Sequence, residues 1–462
     1  MPLILPGNVA SATTAAYEVA NSCRFNDGDS AYMSRTLGTP TNNDRWTFSC
    51  WIKRGNVDTQ QVLFAGSADA NNGTVIQFKN TEQLQWQEYQ SSFLGKYTTN
   101  RLFRDPSAWY HLVFTYDSGN ATAGDRMRIY VNGTEETSFA DEVNVDQNQD
   151  SLMNTAVAHG IGYDTGTGIA GSYYFDGYMA EAVFCDGQAY AASDFGEFDS
   201  DSPSIWKPKD PSGLTFGNNG FYLDFEASDN LGNDANGGTD WAESNLAAVD
   251  QATDTPTNNF CVINPLAGDN DENTLSEGNC KIVSTATGSS MGGTFGLSAG
   301  KWYWEAKLTA SNTQQIGIMD VDKLFTRLDR TPGAAGSNGF IYLTTGNVYN
   351  NDSQLLTGLT SSTTNDIISV ALDITNLKIY WYKNDSLLNS GGTDITTGLT
   401  WFPITGAGGG SDRINQECNF GGCSAFDVGS ANQDENGYGN FEYAVPSGYL
   451  AVCSKNLGSD GG

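Results

Sequence analysis

Hydrophobic residues recur along this chain with a period of two far more often than with the 3.6 of a helix. In RWTFSCWIK (45–53), Trp46, Phe48, Cys50 and Ile52 share one parity, while Arg45, Thr47, Ser49, Trp51 and Lys53 share the other. Side chains of a strand alternate between faces, so this run predicts a strand with one face in a core. The segment WYHLVFTYDSGNATAGDRMRIYVNGTEE (109–136) repeats the pattern twice. Tyr110, Leu112, Phe114 and Tyr116 share a face, then Met127, Ile129 and Val131 do, with His111 on the opposite parity. Asn132-Gly133 supplies two residues that tolerate positive φ, predicting a type I′ turn and an antiparallel strand from Thr134.

The second half of the chain has its own alternating runs. KWYWEAKL (301–308) predicts Trp302, Trp304, Ala306 and Leu308 inward, with Lys301, Tyr303, Glu305 and Lys307 outward. IISVALDI and LKIYWYKND continue the form, with Asn384-Asp385 as a turn. Between the halves, residues 201–275 are rich in Gly, Asn, Asp and Pro, and predict an irregular connector with one short strand. Its Phe221, Leu223, Phe225 and Trp241 require cover from neighbouring structure. The resulting division is an N-terminal arm at 1–20, a β-sandwich at 21–200, the connector at 201–275, and a second β-sandwich at 276–462. The class expected is all-β, two antiparallel sandwiches.

Composition agrees with that class: 53 glycines and 12% aromatics suit many tight turns, and 462 residues can fill two or three cores. Charge narrows the partners. With 23 basic and 54 acidic residues the formal net charge is −31, which would repel a phosphate backbone, so no nucleic-acid partner is expected. The opening MPLILPGNVASATTAAYEVANS has no basic n-region and its apolar run breaks at Pro6-Gly7, predicting no signal peptide. No window reaches the roughly 18 to 20 apolar residues of a membrane helix, so no membrane insertion is expected. Eight cysteines are sparse for a disulfide scaffold, and read as buried thiols acting as small hydrophobes.

At this point the order of motifs acquires a resemblance. The strand ending in WIK, then WYHLVFTYD, RMRIYVNG and FDGYMAEAVFCDGQAY, resembles the laminin-G/concanavalin-A-like jelly roll. GKWYWEAKL, QQIGIMD, DIISVALDITNLKIYWYKND, WFPITG, NFGG and PSGYLAVCS resemble the SPRY domain, also a β-sandwich. Their combination behind MPLILPGNVASAT looks like a group of tailed-bacteriophage virion proteins. That resemblance implies a tail-fibre or capsid-surface component, outside on the virion and assembled in the host cytoplasm. Its partners would be other virion proteins, further copies of itself, and a host surface glycan or receptor. A virion-associated polysaccharide depolymerase and a cellular surface adhesin are the alternatives.

Chemistry is sparse. The two histidines, His111 and His159, come without a G-x-S-x-G elbow, so no hydrolase triad and no catalytic residue is expected. FNDGDS (25–30), ASDNLGNDANGG (227–238) and GDNDEN (268–273) offer oxygen ligands, and the laminin-G resemblance implies calcium at a sheet rim as an alternative to no cofactor. Asn, Asp and Gly are equally the standard turn residues, so solvated turns answer the same pattern. For binding, the stretch 319–342 concentrates Lys323, Arg327 and Arg330 with Phe325 in a chain poor in positive charge. SPRY-like domains bind through such inter-strand loops, so Phe325, Arg327 and Tyr349 are the candidate binding residues. Pairing of those bases with Asp320, Asp322 and Asp329 is the structural alternative.

Overall fold

Alternation becomes architecture in the computed structural model, described for residues 17–165, 173–268, 272–285, 287, 289–324, 335–408 and 412–460. The described chain is nearly all β, with several antiparallel sheets and two compact units, one of residues 17–104 and Ala108–Thr257, the other of Asp105–Ser107 and residues 258–460.

In the first unit, Arg45–Arg54 lies between Tyr110–Asp117 and Gly177–Asp186, and Ser22–Phe25 pairs the far side of Gly177–Asp186. The facing sheet runs Phe139–Val143, Phe93–Leu102, Gln83–Gln90, Asn72–Phe78, Gln61–Asp69, Ala158–Ile161 and Tyr32–Thr36 in spatial order. The predicted inward parity fills the space between them. Trp46 meets Trp86 at 5.2 Å and Phe48 meets Phe64 at 4.6 Å, all four fully buried. Asn132 and Gly133 have φ of 47° and 77°, and Thr134–Glu135 pairs back on Met127–Val131 as the turn requires.

The outward parity is where the sequence reading fails. Ser49, Trp51, Lys53, His111 and Thr115 are buried too. Residues 187–222 roof this outer face, packing Phe195, Phe216, Tyr222 and Trp206 over Val113 and Val183. Those aromatics could not be left in water, and a sheet face was the available cover. The stretch read as a connector with one short strand instead supplies several: Phe221–Leu223 pairs Gly177–Asp186, Ala242–Ser244 pairs Tyr32–Thr36, and Gln251–Ala252 pairs Ser22–Phe25. Lys53 is buried because Asp254 meets its ammonium at 2.6 Å, and Asp254 also accepts from Trp109 Nε1 at 3.0 Å.

The second unit repeats the sandwich with different strands. One sheet orders Ile263–Gly268, Ser290–Gly293, Trp401–Ala407, Gln314–Asp320, Gly339–Leu343, Asn347–Asn350 and Ser353–Leu356. The other centres on Lys301–Leu308 between Ile367–Asp373 and Asn415–Asn419. Trp302, Trp304, Ala306 and Leu308 face the core as predicted. Tyr303 and Glu305 do not face water: both are buried beneath the C-terminal segment. Phe441 meets the Tyr303 ring edge-on at 5.1 Å, and the backbone N–H groups of Glu442 and Tyr443 donate to Glu305 at 3.0 and 2.9 Å. All eight cysteines are buried. No described helix is long and apolar enough to cross a membrane.

Candidate functional site

The histidines come first, because a base would decide the question of catalysis. His111 is buried on the outer face of its strand, contrary to the solvent-side parity read from the sequence, with Ser49 Oγ 2.9 Å from Nε2. Such a pair could look like a nucleophile and its base. Trp206 excludes that: its indole N–H, which can only donate, reaches His111 Nδ1 at 2.9 Å. Nδ1 is therefore the acceptor, Nε2 carries the proton, and the ring donates to Ser49 rather than taking its proton. Burial also pulls the imidazole pKa down to about 3, so the ring stays neutral. His159 is equally enclosed, its ring nitrogens against the carbonyls of Val157 and Met153, and burial lowers its pKa.

The deeply buried carboxyls Glu88, Glu181 and Glu305 are also enclosed by donors. Glu88 accepts from Thr74 Oγ1 at 2.6 Å, Ser151 Oγ at 2.9 Å and the Leu152 amide at 2.9 Å. Glu181 stands in a bulge with φ of 50° and accepts from the hydroxyls of Tyr17 and Tyr222. Burial pushes Glu88 and Glu305 up to about 7, and Glu181 up to about 8. Glu181 also borders a small cavity shared with Ser49, Trp51 and His111.

An open groove does exist at one rim of the first sandwich, with a volume of about 430 Å³. It is lined by Asp58, Thr59 and Gln60 of the loop after Arg45–Arg54, by Tyr173 and Tyr174, and by Asp27 and Asn80. The loop wall is bolted to the core. Arg54, its guanidinium 4.5 Å over the Phe78 ring, pairs with Glu82, which accepts the Asp58 amide and so fixes that residue at φ of 64°. The tyrosine wall is braced by stacking: Tyr174 lies parallel to Tyr163 at 4.4 Å, and Tyr32 meets Tyr163 at 5.2 Å. Tyr173 is left 43% exposed, a flat apolar face beside polar groups.

From the groove a ladder of amides crosses the sheet. Gln60 Nε2 donates to Gln77 Oε1 at 2.7 Å, Gln77 to Gln85 at 2.9 Å, and Gln85 to Thr98 Oγ1 at 2.9 Å. All three amides point the same way, so each bond polarises the next and Gln60 is held rigid. Lys79 Nζ, 3.4 Å from Gln60 Oε1, heads the row.

Behind Asp27 lies Asp176, fully buried, its carboxyl oxygens without a hydrogen bond of normal geometry. Burial, and then the neighbouring Asp27, push its pKa well above the usual carboxylate range. A buried carboxyl beside Asp27 invites the calcium implied by the resemblance, but the surrounding groups do not assemble a cage. Among the described residues no group of three or more His, Cys, Asp or Glu is placed to share an ion. Asp27 Oδ2 accepts from Asn56 Nδ2 at 3.2 Å, and Asp29 Oδ2 from Asn26 Nδ2 at 2.7 Å. In the second acidic run Asp234 accepts the amides of Tyr222 and Asn236 and lies 3.6 Å from Arg35. These carboxylates serve turns. The third run falls partly outside the described residues.

Of the binding residues expected from sequence, Phe325 and Arg327 lie outside the described residues. Tyr349 lies on Asn347–Asn350, half-buried against a small outer cluster with Met319, Ile341 and Phe402, and donates to Gln354 Oε1 at 2.9 Å. The rim groove was not foreseen. Its one sequence signal was FNDGDS, which offers either metal ligands or a solvated turn.

With the geometry in view, comparison with known proteins separates the halves. A family model described as the concanavalin A-like lectin/glucanases superfamily matches residues 26–190, and a SPRY domain model matches 301–412. The chain carries a concanavalin A-like domain and a SPRY domain. Among solved structures it is similar to the SPRY domain of human HERC1, at 16% identity and a TM-score of 0.26, covering 37% of this chain and 96% of that one. It is similar to a putative carbohydrate binding protein from Bacteroides ovatus, at 14% identity and a TM-score of 0.36, covering 49% of this chain and 59% of that one. It is also similar to the heptameric SAP-like pentraxin from Limulus polyphemus, at 17% identity and a TM-score of 0.27, covering 38% of this chain and 80% of that one. No curated protein matches the chain.

Proposed function

We propose that this chain is an adhesion protein that binds rather than cleaves, with a carbohydrate held in the rim groove of its concanavalin A-like domain. The observation that carries the reading is the pairing of Tyr173, an exposed ring, with the polar side chains of Asp27, Asp58, Gln60 and Asn80 along one groove. A sugar has apolar C–H faces that pack on an aromatic ring and hydroxyls that need both donors and acceptors. The buried, wrongly protonated His111 and the enclosed carboxyls support binding over chemistry. We place the protein, from the order of its motifs, on the exterior of a tailed-phage particle, where several copies would turn weak contacts into avidity for a host surface. Phe325, Arg327 and Tyr349 form a second contact surface in that reading.

Calorimetric titration with a panel of host-surface glycans tests the first part. Tyr173→Ala is expected to weaken the best ligand by about tenfold, the scale of one stacking platform of roughly 1 to 1.5 kcal/mol, with thermal stability retained because the ring is exposed. An unchanged affinity would remove the groove from the reading. Locating the protein in imaged particles tests the second part.

A further inference from the structure

The charges around the groove bear on which sugars it takes. Asp58, exposed, and Asp27, half-buried, both line the groove, while Asp176 beside Asp27 is held toward its neutral form by burial. Asp29 follows in the same turn. Among the described residues, Lys79 faces Gln60 with its ammonium, and Lys96 stands close enough to lower the Lys79 pKa further after burial. The stacked tyrosine wall contributes no charge but a negative ring face, which attracts a cation lying over it. An anionic sugar would meet carboxylates on two sides, on a chain whose net charge is already −31. A neutral sugar would satisfy the polar groups and ignore the charge. A sugar bearing a free ammonium would use both.

Resting on the carbohydrate reading, we propose that the groove selects amino sugars with an unacetylated 2-amino group, the ring packing on Tyr173 and the ammonium lying between Asp58 and Asp27. Asp176 has a positioning role. Its carboxyl, packed so closely on Gly55 that no Cβ fits there and held toward its neutral form by burial and by the neighbouring Asp27, backs Asp27 without adding charge of its own. The amide of Gln60, held in the ladder, sets the hydroxyl register.

The test compares two probes on the full chain at pH 6, where the amine is charged: a glucosamine hexamer and its fully N-acetylated counterpart. The glucosamine hexamer is expected to bind about fivefold tighter, the upper end for a single ion pair near a surface. That preference should shrink as salt rises from 50 to 500 mM. Asp58→Asn is expected to lower affinity for the glucosamine hexamer by a similar factor, whereas Asp229→Asn, an exposed acid elsewhere on the same unit, leaves it in place. If the acetylated hexamer binds as well or better, the inference falls while the carbohydrate reading stands. If no glycan on a broad panel binds, the carbohydrate reading itself has failed. If binding requires calcium and is abolished by a chelator, the carboxylates serve a metal and the inference is overturned.

Discussion

A single side chain, the indole of Trp206, decides how His111 is read. Because an indole can only donate, His111 is locked as the tautomer that donates to Ser49. Trp51 stacks on the same imidazole at 4.6 Å, closing it off further. The ring is therefore expected to stay neutral throughout the accessible pH range. NMR of a ¹⁵N-histidine sample should show one fixed neutral tautomer for His111 from pH 8 down to pH 5. A titration midpoint near 6.5 would show that the outer face is open. Trp206→Phe removes the donor and leaves Nδ1 buried without a partner, at a cost of about 1 to 3 kcal/mol.

Strand faces carry a second lesson. Parity in KWYWEAKL assigns Trp302 and Trp304 to the core correctly, yet it also assigns Tyr303 to water, where the structure buries it under Phe441 with its hydroxyl 3.0 Å from Glu305. Tyr303→Ala is accordingly expected to cost about 3 to 5 kcal/mol, the range for truncating a large buried aromatic and the same as expected for Trp302→Ala. Denaturant unfolding of both variants checks it. A loss under 1 kcal/mol for Tyr303→Ala would mean that the C-terminal segment does not stay on the sheet. The same strand shows what was legible. Period-two patterns reveal which parity faces the partner sheet, because that face is apolar throughout. They do not reveal that a second layer covers the other face, since Ser49, Thr115 and Glu305 there are polar and satisfied by distant segments. The Asn-Gly turn at 132 was readable because local φ preference fixes it. The rim groove was not, because Asp27, Asp58 and Tyr173 are brought together only by long-range closure of the sandwich.

Across the whole molecule, buried carboxyls set a pH dependence shared by both sandwiches. Glu88 and Glu181 in the first unit and Glu305 in the second have folded pKa values raised to about 7, 8 and 7 by burial, against 4.5 unfolded. A raised acid binds more protons folded than unfolded between those two values. Stability from these groups is therefore full below about pH 4.5 and is lost as pH rises through 7 to 8, about 3 to 5 kcal/mol per group if the shifts are taken whole. Asp366 and Asp373, whose partners Lys383 and Lys301 contribute to holding their pKa low, act the other way and lose their contribution only as pH falls below about 4. Opposed windows place maximal stability in the mildly acidic range rather than at neutrality. The melting temperature is expected to fall between pH 5 and pH 8.5, and Glu88→Gln should flatten that slope for the first unit while leaving the second unit's transition as it was. A melting temperature that climbs over the same interval would show these carboxyls to be charged in the folded state, held by their hydrogen-bond donors more strongly than burial opposes them.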